Sequence, residues 1–168
     1  VTPFLARPAG DFIGVQYYTR WLVDPRVRTA EGTRAEPPAG ARLTQTGWEV
    51  HPEGLHEVLH EAAAAGLPLV VTENGIATDD DEERTAYIAA HVEQVALALR
   101  DGLDVRGFLY WSAFDNFEWN DGFRPTFGMV AVDRADGFRR TPRGSAHAFG
   151  RLARAGRLTA LRDEADGE

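Results

Sequence analysis

The stretch LPLVVTENG, residues 67–75, decides how this chain folds. Its first six residues, 67–72, form an uncharged, mostly apolar run bounded by Gly66 and Gly75. A continuous run of that length reads as a strand of a parallel sheet covered on both faces, where alternation is not required. At its end a carboxylate, Glu73, leaves the apolar run and is followed at once by Asn74 and the Gly75 turn.

Working outward, Pro52 opens a helix at a position where its missing N–H costs nothing. Leu55, Val58, Leu59 and Ala62 give that helix an apolar face, and Gly66 ends it. Further upstream, DFIGVQYY (residues 11–18) is rich in β-branched and aromatic residues and reads as a buried strand. An irregular stretch containing Pro37 and Pro38 separates the two, over about residues 19–48. Downstream, the acidic run from Asp79 to Glu83 places negative charge at the positive end of the next helix. Ile88, Val92, Val95 and Leu99 are expected inward on it, and Gly102 stops it. VRGFLYWS (residues 105–112) is a third strand. A last helix is expected after Pro142, with Ala148, Phe149 and Leu152 inward. The polar tail, residues 158–168, is expected to fray.

Alternating strands and helices signal an α/β fold with a parallel sheet. No Gly-rich phosphate loop follows any strand, which disfavours dinucleotide binding. Three βα units fit part of a (β/α)8 TIM barrel, which needs eight strands and about 250 residues. The chain has 168 residues and starts at Val1, so a C-terminal segment of one barrel domain, residues 1–168, is expected. In such a barrel Ile13, Val15, Val70, Val71 and Leu109 are expected on the inner face.

The net charge of −8 argues against nucleic-acid binding, which depends on basic patches. No apolar run approaches the ~20 residues of a membrane span. With no cysteine there is no disulfide or thiolate chemistry, and a cytoplasmic location is expected. All 18 basic residues are Arg, read here as coding bias.

Chemistry is expected at the C-terminal ends of barrel strands. Glu73 ends one strand, while another runs through Trp111 and Ser112 into Asp115-Asn116-Phe117-Glu118-Trp119. Sugars present apolar C–H faces and many hydroxyls, which suit Trp and carboxylates respectively. Those residue types suggest a carbohydrate site; the plainer alternative is a strand-capping Glu among ordinary aromatics.

The segments DFIGVQYYTR (11–20), GWEVHPEGL (47–55), LVVTENGIA (69–77) and VRGFLYWSAFDNFEWNDGFRPTFGMVAVD (105–133) closely resemble glycoside hydrolase family 1. Arg139, Arg140, Thr141, Pro142 and Ser145 fit the family's ending. The resemblance implies the part of the barrel holding about strands six to eight, and retaining hydrolysis of β-glucosides or short cello-oligosaccharides without cofactor or metal. Glu73 matches the nucleophile and Tyr18 the tyrosine that hydrogen-bonds it. Trp111 matches the platform under the sugar, Glu118 and Trp119 the residues that bind its far hydroxyls, Phe127 a pocket wall, and Trp48 the aglycone-side aromatic. Asn74, Arg20 and His91 match structural positions, and His56 and His60 read as a solvated helix surface rather than a metal site.

Two departures matter. The family usually has Asn where this chain has Gln16. Its acid/base motif, T-x-N-E-P, is absent, so no acid/base residue is expected in this chain. The N-terminal barrel half is therefore an expected partner, from the same gene or a separate chain. A non-catalytic, truncated or merely sugar-binding remnant is the alternative. A branch acting on 6-phosphorylated sugars is disfavoured, because Glu118 would repel the phosphate.

Overall fold

The computed structural model describes residues 10–26 and 35–161. Three parallel strands form one sheet in the order β1 (Ile13–Gln16), β2 (Leu69–Glu73), β3 (Val105–Phe108). Helix α1 (Glu53–Ala63) lies between β1 and β2 in the chain, and α2 (Asp81–Arg100) between β2 and β3. Then follow the antiparallel pair β4 (Val130–Asp133) and β5 (Arg139–Pro142), and helix α3 (Gly144–Ala155). The βα alternation is as expected, but the strands are shorter than their apolar runs. β3 ends at Phe108, yet Leu109 N–H still donates to Val71 O at 2.8 Å, so its extension stays pinned to β2.

Helices α1 and α2 cover one face of the sheet. Leu55 and Leu59 of α1 are fully buried against Val15, Leu69, Val71 and Val105, with Val95 and Ala98 of α2 completing the cluster. Burying each such leucine stabilises the fold by roughly 1.5–3 kcal/mol. Val15 and Val71 thus face the helices, and Ile13 packs on the same cluster. The expectation that these three line the inner face is corrected by the period of two, which puts Gly14, Gln16 and Val70 opposite them. Leu109 is exposed.

Asp80 caps α2, its side chain accepting from Glu82 N–H and Glu83 N–H, and the acidic run forms the first turn as expected. The inward face of α2 carries Arg84, Tyr87, Ile88, His91, Val95 and Ala98, while Leu99, expected inward, is half-exposed. Ala148 and Leu152 of α3 join Ile88 and Tyr110 in a second cluster, with Phe149 partly buried on it. The tail expected to fray from 158 starts as a 3-10 turn, Leu158–Leu161, whose Leu158 packs on that cluster. Residues 162–168, and residues 27–34 of the stretch expected to be irregular, lie outside the described part. Among the described residues no helix is long and apolar enough to cross a membrane.

Candidate active site

Backbone bonds stitch the C-terminal ends of the three parallel strands together. Tyr17 N–H donates to Glu73 O at 3.0 Å, and Trp111 N–H to Asn74 O at 2.8 Å. Fully buried Asn74 donates its amide to Tyr17 O at 2.7 Å, so its role is to hold the β1 and β2 ends in register. A Cβ on Gly75 would lie 1.8 Å from Trp111 O, so this crossing of the two strand ends admits only glycine. The expectation that Tyr18, Glu73 and Trp111 share one sheet edge holds.

Glu73 is half-buried at this edge, and each of its carboxylate oxygens has a donor. Tyr18 Oη donates to Oε2 at 2.8 Å, and Gln16 Nε2 donates to Oε1 at 2.8 Å. Burial, the bond to Glu73, and the nearby charges of Glu73 and Glu118 raise the Tyr18 pKa well above the usual phenol range. Tyr18 is therefore a permanent donor near neutral pH. Both bonds fix the orientation of the Glu73 carboxylate. Gln16 had stood out only as a departure. Its extra methylene still lets the amide reach the carboxylate.

Aromatic rings gather around Tyr18, the tyrosine bonded to the carboxylate. Tyr18 meets Trp48 edge-on at 5.5 Å between centroids and Phe127 at 6.1 Å; Trp48 and Phe127 are 6.3 Å apart. Phe127 is almost wholly buried. Trp111 donates its indole N–H to Glu118 Oε1 at 3.0 Å, tying the platform candidate to the hydroxyl-binding candidate. The Trp111–Ser112 peptide is cis. Trp119, by contrast, is 85% exposed and makes none of these contacts.

Two supports were not read from the sequence. Arg143 forms a bidentate pair with Asp115, at 2.8 and 3.2 Å, and Asp115 Oδ1 accepts from Gly128 N–H at 2.9 Å, beside Phe127. Wholly buried Arg84 donates to Asp81 Oδ1 at 2.7 Å, to Thr126 O at 3.0 Å and to Thr78 O. Burial opposes ionisation of Asp81, but the Ser145 hydroxyl and N–H, with Arg84, hold its pKa below the usual carboxylate value. An Arg inside an otherwise inward helix face was the available signal. Arg20 pairs with Glu49 at 2.9 and 3.0 Å, in line with its structural reading. His56, His60 and Asp101 meet on the helix layer, at the sheet edge opposite Glu73.

The chain matches the glycosyl hydrolase family 1 description over residues 4–157. It is 43% identical over 136 residues to a β-galactosidase of Sulfolobus acidocaldarius, covering 73% of this chain and 27% of that protein. It is 38% identical over 138 residues to a 1,4-β-D-glucan glucohydrolase of Thermotoga neapolitana, covering 73% of this chain and 31% of that protein. A solved β-glycosidase from Pyrococcus horikoshii superimposes with a TM-score of 0.79 at 46% identity, over 86% of this chain and 34% of that one. The chain thus spans about a third of the length of these relatives. With its parallel strands and the T-E-N-G strand end in place, the chain belongs to glycosyl hydrolase family 1 and forms one sector of its (β/α)8 barrel.

Proposed function

We propose that this chain is the nucleophile-bearing part of a β-glycosidase that hydrolyses terminal β-D-glucosyl bonds with retention of configuration. The observation that carries the reading is the doubly held carboxylate: Glu73 at a strand end, with Tyr18 on one oxygen and Gln16 on the other. Relatives named β-galactosidase and 1,4-β-D-glucan glucohydrolase support the substrate class, a β-glucoside or short cello-oligosaccharide.

In the first step a Glu73 oxygen attacks the anomeric carbon. The bond to the leaving oxygen breaks as that oxygen takes a proton from an acid/base carboxyl. In the second step the same carboxylate takes a proton from water, whose oxygen displaces Glu73 and restores the configuration. Retaining hydrolysis needs the two carboxyl groups about 5–5.5 Å apart. The acid/base belongs to the barrel portion that carries T-x-N-E-P, so the chain needs that portion to turn over. Trp111 lies under the sugar ring, Glu118 accepts from its far hydroxyls, and Trp48 and Phe127 close the walls. Trp119 enters this set from the family resemblance alone.

The test is a 2-fluoro glycoside with a good leaving group, applied to a barrel assembled from this chain and a family N-terminal half. Fluorine slows breakdown of the glycosyl-enzyme, so peptide mapping should find the adduct on Glu73. An adduct on Glu118, or turnover with no labelled carboxylate, overturns the assignment.

A further inference from the structure

We propose that His56, His60 and Asp101 form a divalent-metal site of the zinc class that ties α1 to the C-terminal end of α2. The two histidines stand four residues apart on α1, one turn above the other on a single face. Asp101 is the C-cap of α2, fixed by its backbone N–H to Leu97 O and Leu99 O. Both imidazole Nε2 atoms point at the same oxygen, Asp101 Oδ2, at 2.8 Å from His56 and 3.0 Å from His60. The three candidate ligand atoms all lie within 4.8 Å of one another.

This is a converging donor set drawn from two elements. Around zinc, nitrogen and oxygen ligands sit about 2.0–2.2 Å from the metal, so neighbouring donors of a tetrahedron stand about 3.3 Å apart. The two His–Asp separations need to open by only about 0.3–0.5 Å to match, and the two imidazole nitrogens already lie within 4.8 Å of each other. Two imidazoles and one carboxylate suit zinc, cobalt, nickel or copper; calcium and magnesium prefer all-oxygen sets. His56 is 29% exposed, His60 44% and Asp101 45%, so water has access to complete the coordination. The elements joined carry the main core, Leu55 and Leu59 on α1 facing Val95 and Ala98 on α2. A metal here is a structural clamp on the helix layer, at the sheet edge opposite Glu73 and independent of the hydrolytic reading.

The test is titration of an untagged barrel, assembled from this chain and a family N-terminal half, with Co²⁺, read by visible absorption, followed by displacement with Zn²⁺. One Co²⁺ per chain should give the intense bands of a four- or five-coordinate centre, and Zn²⁺ should abolish them. His60→Ala and Asp101→Asn should each weaken binding at least about tenfold, no less than the loss of an outer partner would. His56→Ala/His60→Ala should remove the bands, while His147→Ala leaves them unchanged. Zn²⁺ should raise the thermal midpoint of the wild type and not of the double variant. Matching far-ultraviolet circular dichroism of the metal-free variants separates lost ligands from lost fold. No bands at millimolar Co²⁺, or bands undiminished in the double variant, would overturn the proposal and leave the cluster a plain His–Asp hydrogen-bond network.

Discussion

The side-chain amide of Gln16 donates to Glu73 Oε1 at 2.8 Å, on the oxygen that Tyr18 leaves free. Neither oxygen of the proposed nucleophile is left to reorient on its own. In an intact barrel carrying this sequence, Gln16→Leu should lower kcat/KM by about ten- to a hundredfold, the value of one hydrogen bond to a charged group. Gln16→Asn keeps an amide and should lose less. Gln16→Glu sets a second carboxylate against Glu73 and should lose most. Steady-state kinetics with a chromogenic β-glucoside orders the three. Equal activity in all of them would mean that the Gln16 contact does not matter to turnover.

The strand end was legible because Glu73 breaks an apolar run at a glycine turn, and the crowding of Gly75 against Trp111 O explains that turn. The β4–β5 pair was not legible. β5, Arg139–Pro142, is exposed throughout and offers no apolar alternation to read. Leu99 was misplaced because counting aliphatic residues overlooks a helix face that buries Arg84, Tyr87 and His91. Within the site, residue types singled out Glu73, Trp111, Glu118 and Trp119, whereas Tyr18, Trp48 and Phe127 came from the family resemblance alone. The pairing of Asp115 with Arg143, 28 residues apart, follows only from the path of the chain after β3.

Arg84 supports the site from behind. It bridges Asp81 to Thr78 O and Thr126 O, and Asp81 in turn accepts from Ser145 at the start of α3. Arg84→Met removes the charge and strands two carbonyls and part of a carboxylate. The cost should be about 2–4 kcal/mol. Urea unfolding of the assembled barrel measures it. A change below ~1 kcal/mol would show that water takes over those acceptors.

His91 gives the fold a pH dependence. Burial lowers its pKa from the model-peptide value of 6.5 to about 4, its Nδ1 lying 2.9 Å from Tyr87 O and its ring stacking on Tyr87 at 3.8 Å. Between those two values the unfolded chain binds a proton that the folded chain refuses. Stability is therefore full above pH 6.5 and falls as pH drops toward 4, by about 3 kcal/mol over the window. A nuclear magnetic resonance titration of the His91 ring should give a midpoint near 4, and His91→Gln should flatten stability across that range. A midpoint near 6.5 would contradict this account.

The outer edges of β1 and β3 have no strand partner among the described residues. Leu109 is 56% exposed beside them, and Phe12 52%. Unpaired edges with apolar neighbours invite association. The isolated chain should self-associate with rising concentration in sedimentation velocity, and a family N-terminal half should suppress this. A sharp monomer with cooperative unfolding would count against the barrel-sector reading of stability.

The mechanism itself makes the most exacting prediction. Glu73→Gln in an assembled barrel should abolish turnover, because an amide cannot displace the leaving group. Glu73→Gly opens a space beside Tyr18 and Gln16 where the carboxylate stood. Azide or formate entering that space can attack the anomeric carbon of a substrate with an activated leaving group. One displacement then replaces two, so the rescued glycosyl product must have inverted configuration. Tyr18→Phe should cost far less than Glu73→Gln, because it removes only one hydrogen bond from a carboxylate that Gln16 still holds. Proton magnetic resonance of the anomeric signal in the first minutes distinguishes the products. Rescue with retained configuration would require another nucleophile, and substantial activity in Glu73→Gln without added anion would remove Glu73 from the reaction.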